Sequence, residues 1–202
     1  TQQLESLMAE GETVVQGSGD TVTIVAADRA GTFSRAAGAL ALRGLDVLQA
    51  DAYSSEAGMA VSQFRVAEPD APVDWDRVTE DVYQCLDGHL AIDSRISERA
   101  RVYRRRTALS AKPVPTQVIF DVESATDATI IEVRTEDHIG VLYHLTRALT
   151  EMGLDIRSAK IQTISNEVVD TFYVTSASGP SLGESHCREI ETALLHSLTR
   201  VD

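Results

Sequence analysis

Two stretches of this chain align without a gap. Asp28 to Asp51, DRAGTFSRAAGALALRGLDVLQAD, lies over Asp137 to Lys160, DHIGVLYHLTRALTEMGLDIRSAK, at a constant offset of 109 residues. Asp28 falls on Asp137, Arg29 on His138, Gly31 on Gly140, Leu40 on Leu149, and Ala50 on Ala159. A repeat of that length is a whole small domain rather than a solenoid turn. The 202-residue chain therefore has to fold as two related units.

Each stretch reads as a loop, a helix and the start of a strand. In the second copy Leu142, Leu145, Leu149 and Met152 share one helical face, and Gly153 marks its end. The first copy uses Phe33, Ala36, Ala37 and Leu40 on that face, so its helix should sit closer to its sheet or to another helix. Strands are expected at Thr21–Ala27, Leu45–Ser54, Met59–Val66, Ala128–Arg134, the stretch to Ile164, and Val168–Thr175. The alternation of Val47, Ala50 and Ala52 slips by one, as does that of Ile156, Ala159 and Ile161. A bulge near Leu48–Gln49 and another near Arg157–Ser158 would restore the inward face. Asp74 is placed to cap a helix running to Leu90, and a last helix is expected over Ser185–Leu198.

The order β-α-β-β-α, with the first copy closed by a strand at Thr116–Glu123, predicts an α+β fold. It comprises two ferredoxin-like units, each an antiparallel sheet of about four strands with helices on one face. Residues 1–20, with a short helical hint at Leu4, Leu7 and Met8, are read as a connector tail. The first unit is set at 21–123, with an irregular Arg-rich connector at 91–115, and the second at 124–202. The units should cover one another by sheet-edge pairing or helix contact.

The net charge of −13 argues against nucleic acid and anionic membranes as partners. Arg95, Arg99, Arg101, Arg104, Arg105 and Arg106 form a basic block, read as a solvated connector or a docking face for an acidic partner. Cys85 and Cys187 make no disulfide framework or zinc set, which suits a reducing cytoplasm. The sequence lacks an apolar run of about 18 residues and a signal peptide. It begins at Thr1 and reads as a fragment or processed product. His89, His138, His144, His186 and His196 form no ligand pattern, and neither a nucleophile elbow nor a phosphate loop is present. No catalytic or metal residues are assigned.

The chemistry rests on Asp-x-x-Gly, which occurs at both helix starts. In one reading Asp caps the helix and Gly permits the turn. In the other, the free N–H groups of the helix start take a carboxylate while Asp takes an ammonium, so one loop holds both ends of an amino acid. Asp46 and Asp155, each following Gly-Leu, are either polar strand starts or second contacts to a ligand between the units.

These residues resemble tandem ACT domains, small βαββαβ modules that bind amino acids at interfaces between units. VPTQVIFDVES (Val114–Ser124) and TIIEVRTEDHIGVLYHLTRALTEMGLDIRSAKIQTISNEVVDTFYVTSASG (Thr129–Gly179) are similar to the C-terminal end of the bifunctional PII-protein uridylyltransferase/uridylyl-removing enzymes. The Ala-, Arg- and Val-rich usage resembles actinobacterial members, described as PII adenylyltransferases. The resemblance implies a regulatory region that binds glutamine and shifts the balance between modifying and unmodifying the PII signal protein. Nucleotidyltransferase and HD phosphohydrolase domains, with Mg2+ and nucleotide, would lie in the parent enzyme, and this span would carry no cofactor. Carried over residue by residue, the ligand set is Asp137, His138, Ile139, Gly140, Asp155 and Ile156 in the second copy. In the first it is Asp28, Arg29, Gly31 and Asp46. Ala30 and Ile139 stand where the family often has Pro, so the loops lack that φ restraint. ACT–ACT pairing is implied, with a homodimer as a further level. A free-standing tandem-ACT regulator that binds a protein partner is the alternative function.

Overall fold

The computed structural model describes residues 12–55, 58–68, 72–107, 114–122, 124–164 and 166–199, with side chains left aside over 103–107. The helical hint at Leu4, Leu7 and Met8 lies outside these, as do the side chains of Arg104, Arg105 and Arg106. In chain order the elements are β1 (Val14–Ser18), β2 (Thr21–Ala27), α1 (Thr32–Arg43), β3 (Val47–Ser54), β4 (Met59–Val66), α2 (Trp75–Leu86), α3 (Ile92–Thr107), β5 (Gln117–Asp121), β6 (Thr129–Glu136), α4 (Val141–Glu151), β7 (Leu154–Ile164), β8 (Glu167–Ser176) and α5 (Glu184–Thr199).

The strands form one eight-stranded antiparallel sheet in the order β1-β2-β4-β3-β7-β8-β6-β5. The fold is α+β, with two ferredoxin-like units zipped edge to edge. The seam is short: Gln49 pairs with Lys160, Ala50 with Ala159, and Asp51 with Ser158. Both alanines are fully buried there, and the Ser158 hydroxyl donates to Asp51 Oδ1 at 2.8 Å. Both expected bulges are present. The register shifts between Val47 and Gln49 against β4, and between Ile156 and Ser158 against β8. The extra residues, Leu48 and Arg157, are exposed, while Val47, Ala50, Ile156 and Ala159 all reach the core.

Two elements depart from the sequence reading. The strand expected to close the first unit, β5, pairs with β6 of the second. The place beside β2 that it would have closed is taken by β1, and β3 is flanked by β4 and β7. β1 itself falls inside the expected connector tail. Each unit is therefore ββαββα. The second departure is the Arg-rich stretch, which is helical. Ile92, Ile96 and Ala100 recur every fourth residue and are buried, while Arg95, Arg99 and Arg101 face solvent. The expected helix to Leu90 stops at Leu86, with its start capped as foreseen by Asp74 Oδ1 accepting from the Arg77 N–H at 3.2 Å.

One continuous core joins the inward strand residues of both units to the helices. A smaller cluster, Val25, Met59 and Val61 with Val14, sits on the other face of the sheet. Helices α1 and α4 lie side by side over the seam, and α3 crosses their contact. A Cβ added at Gly38 of α1 would lie 2.8 Å from Ile92 Cγ2 and 2.9 Å from Tyr143 Cδ2. The small residues of α1 thus serve a close helix–helix approach, one of the two outcomes their size implied. Among the described residues no helix is long and apolar enough to cross a membrane.

Candidate functional site

Both candidate loops end in a glycine held left-handed, Gly31 at φ 88° and Gly140 at φ 87°, and neither helix start receives a side-chain cap. The capping reading of Asp28 and Asp137 therefore fails. Their backbones serve instead: the Asp28 N–H donates to Gly58 O and the Asp137 N–H to Asn166 O, each at 2.9 Å. Each loop is thus tied to its own unit's β-hairpin. The hydroxyls of the first turn of α1 are turned to backbone, Thr32 to Ala27 O and Ser34 to Gly31 O, both at 3.1 Å. What remains is an uncapped helix mouth at each loop, a place that favours negative charge.

The carboxylates expected on the facing strands are exchanged between the units. Glu136, before Asp137, pairs with Glu167, whereas Asp155 pairs with Thr175. Those partners are eight residues apart on β8, roughly 27 Å at the usual strand rise. Asp137 and Asp155 therefore stand at opposite ends of their unit. The topology demands it: β6 and β7 both run antiparallel to β8, hence parallel to each other, so the end of one cannot meet the start of the other. Asp46 of the first unit approaches Asp137 instead. The Asp137 carboxyl is held above its ordinary range by burial and then by the charge of Asp46, although its outer surface is open to solvent. At the other end of the seam Asp155 shares the sheet end of the β3–β4 hairpin, to which the Asp28 loop is tied. Asp28, Arg29 and Gly31 thus group with Asp155, while Asp137, His138, Ile139 and Gly140 group with Asp46. Ile156 belongs to neither group; it is buried in the core.

A cavity of about 570 Å3 opens at the first mouth. Gly31, Ser34 and Arg35 form one side, and Asp93, Tyr143 and Arg147 the other. Its size suits a small metabolite. Arg35 Nη1 donates to Leu86 O at 2.9 Å. Arg147 bridges Asp93 of α3 and Glu151 of α4, at 2.5 Å and 2.8 Å. Burial opposes its charge, but Glu151 and Asp93 outweigh burial and hold its pKa high. Burial, then Asp93, pushes the Tyr143 hydroxyl up to about 12. The sequence reading missed Arg35, Tyr143 and Arg147. Each lies within the repeat but has no like residue in the other copy, so a search for shared residues passes over them.

The second mouth is covered. Gly140 is buried, and a Cβ added to it would lie 2.5 Å from Ile96 Cγ2 of α3. Within the sheet of this unit lies a residue the sequence reading also missed. Asp170 of β8 is fully buried, and neither carboxyl oxygen has a hydrogen-bond partner among the described residues. Burial first and Asp137 second drive its pKa well above the carboxylate range. The signal was present: Val168, Asp170, Phe172 and Val174 alternate on one face. In the first unit, Ile24 pairs with Ser62 where Val133 pairs with Asp170, so buried Ser62 is its counterpart. Among the described residues no group of three or more His, Cys, Asp or Glu is arranged to hold a metal.

No family profile matches the chain. Curated relatives do, among them several named bifunctional uridylyltransferase/uridylyl-removing enzyme. That of Azospirillum brasilense is 35% identical over 184 residues, 88% of this chain and 20% of the relative. That of Ruegeria pomeroyi is 35% identical over 178 residues, 86% of this chain and 19% of the relative. That of Streptomyces coelicolor is 33% identical over 191 residues, 89% of this chain and 22% of the relative. The chain is thus homologous to a part of these enzymes and spans about a fifth of their length. A solved structure described as a glycine cleavage system transcriptional repressor aligns at 15% identity with a TM-score of 0.29, covering 89% of this chain and 91% of that one. That score is too low to bear on the fold.

Proposed function

We propose that this chain is the amino-acid-sensing region of a PII-protein nucleotidylyltransferase/nucleotidyl-removing enzyme, with glutamine as its ligand. The observation that carries the reading is the pair of uncapped helix mouths at the two ends of the β3–β7 seam. Each is grouped with an aspartate from the other unit, and a metabolite-sized cavity opens at one of them. Similarity to uridylyltransferase/uridylyl-removing enzymes over most of this chain supports the choice of parent. A zwitterion at such a mouth places its carboxylate on helix N–H groups and its ammonium on an aspartate.

The mechanism is linkage. Each ligand position draws on both units, and the units meet through three residue pairs of strand and the α1–α4 contact. A ligand that fits one arrangement of the seam better than another shifts their balance, and coupling of about 1–3 kcal/mol would reach catalytic domains elsewhere in the parent. Those domains would supply nucleotidyl transfer to, and removal from, the PII signal protein.

Calorimetry with L-glutamine and a thermal melt test the reading. Ligand at about 100 times its dissociation constant stabilises the folded chain by about 2.7 kcal/mol. A saturable heat and a rise in melting temperature are expected. No heat and no shift at millimolar glutamine would overturn it.

A further inference from the structure

The two mouths differ in charge, and the difference centres on Asp170. At the second mouth three carboxyls act on one another in series: Asp46 from the other unit on Asp137 of the loop, and Asp137 on Asp170 in the sheet. The groups that perturb Asp137 are burial and Asp46, and those that perturb Asp170 are burial and Asp137; no cation is among them. The strands beside Asp170 bring Val133 and Ile161 opposite it, and its own strand adds Val168 and Phe172 on the same face. The titratable groups at that mouth include Asp137 and His138 of the loop, Asp46 of the other unit, and buried His144 of α4, whose Cδ2 lies 3.6 Å from the Cβ position of Gly140. A buried carboxyl with two bare oxygens in apolar surroundings has much to gain from a donor. At the first mouth Ser62 takes the place of Asp170, and Arg29 and Arg35 supply positive charge beside the carboxyls of Asp28 and Asp155.

We propose that the second mouth receives its ligand through a primary ammonium group, with Asp170 as the buried counter-ion and Asp137 and Asp46 beside it, while the first mouth receives a carboxylate. The inference rests on the amino-acid reading above and adds the orientation of the ligand at each end of the seam. An ammonium presents three N–H donors and one positive charge, which matches clustered carboxyls with open acceptor positions. A ligand with a carboxylate and no ammonium would meet the charges of Asp137 and Asp46 there and is turned away. Asp170 has no exposed surface, so on this proposal entry shifts the loop held by the Asp137 N–H to Asn166 O. On binding, the neutral Asp170 carboxyl gives its proton to solvent and the carboxylate pairs with the ammonium. One proton leaves for each ligand bound, and no covalent bond to the ligand forms.

Calorimetry of the full chain in two buffers of different ionisation enthalpy reads affinity and proton release together. The probes are L-glutamine, N-acetyl-L-glutamine and methylamine; the variants are Asp170→Asn and Asp170→Ser, the latter copying the residue the first unit folds with. Wild type should show a site that releases a proton on binding glutamine and loses at least tenfold in affinity on N-acetylation. Both variants should lose that site by at least tenfold, together with its proton release, with no fall in melting temperature. Variants that bind glutamine with wild-type affinity and proton release overturn the inference and leave the sensing reading standing. So does N-acetylglutamine binding as tightly as glutamine at every site. Proton-releasing, Asp170-dependent binding of methylamine without glutamine binding would sustain the ammonium site and overturn the glutamine reading. Wild type binding none of the probes overturns both.

Discussion

Replacing Gly38 by alanine tests the close packing of α1, α3 and α4. Two effects oppose. Alanine in a helix interior is better than glycine by about 1 kcal/mol. Against this, the new Cβ would lie 2.8 Å from Ile92 Cγ2, 2.9 Å from Tyr143 Cδ2 and 3.3 Å from Tyr143 Cε2. Carbon atoms sit best about 3.5–4.0 Å apart, so two neighbours must retreat by roughly 0.7 Å. Neither does so freely. Ile92 Cγ2 is fixed to its own Cβ, so it moves with α3, and the Tyr143 ring is rigid and buried. Overpacking of this kind costs about 1–3 kcal/mol. The expected net loss for Gly38→Ala is therefore about 0–2 kcal/mol, a fall in melting temperature of up to about 8 °C for a chain of this size. Urea melts should show a lower midpoint at unchanged slope. The partner variant Ile92→Ala, costing about 2–4 kcal/mol alone, opens the space. The double variant should then be more stable than the two losses summed, by about 1 kcal/mol or more. If Gly38→Ala stabilises the chain by about 1 kcal/mol and shows no coupling to Ile92, the helices do not meet as described.

The loop glycines give a second comparison. Alanine at Gly31 meets only left-handed strain of about 1–2 kcal/mol, since its nearest neighbour would be Ser34 Oγ at 3.7 Å. Alanine at Gly140 adds a Cβ 2.5 Å from Ile96 Cγ2, so denaturant melts should show it costlier by about another 1–3 kcal/mol; equal losses would contradict the α3 contact. A third expectation concerns pH. Asp137 and Asp170 hold protons more tightly folded than unfolded. Their contribution to stability is complete below the ordinary aspartate value near 3.9 and is lost as pH rises through the raised folded values. Asp170→Asn removes part of that loss, so its stability relative to wild type should grow as pH rises from about 4 toward neutral. A constant difference across that range would mean that Asp170 is not perturbed.

The repeat made most of the fold readable. Hydrophobic spacing located the helix of each copy, and the slipped alternation around Leu48 and Arg157 located both bulges, because an inward face has to be restored wherever a strand stays buried. Pairing partners were less readable. TQVIFDVE names a strand, but nothing in its pattern says that β5 joins β6 of the second unit. The basic block hid α3, since three buried residues, Ile92, Ile96 and Ala100, are a narrow stripe among arginines. The loops were found, but their partners were matched within a copy. Alignment says which residues are alike and is silent on which unit faces which. Asp170 was in plain view as the polar member of an apolar row; what set it apart, two oxygens without a donor, appears only once the chain is folded.

The exchange of aspartates across the seam bears on how the two ends came to differ. Two separate copies of one such unit, related by a two-fold axis, would carry every substitution twice, so a buried acid at one end would impose its twin at the other. Joining the copies in a single polypeptide lifts that obligation. Ser62 and Asp170 record the freedom gained: the same station on the central strand, inherited by both halves, left mild in one and made acidic in the other.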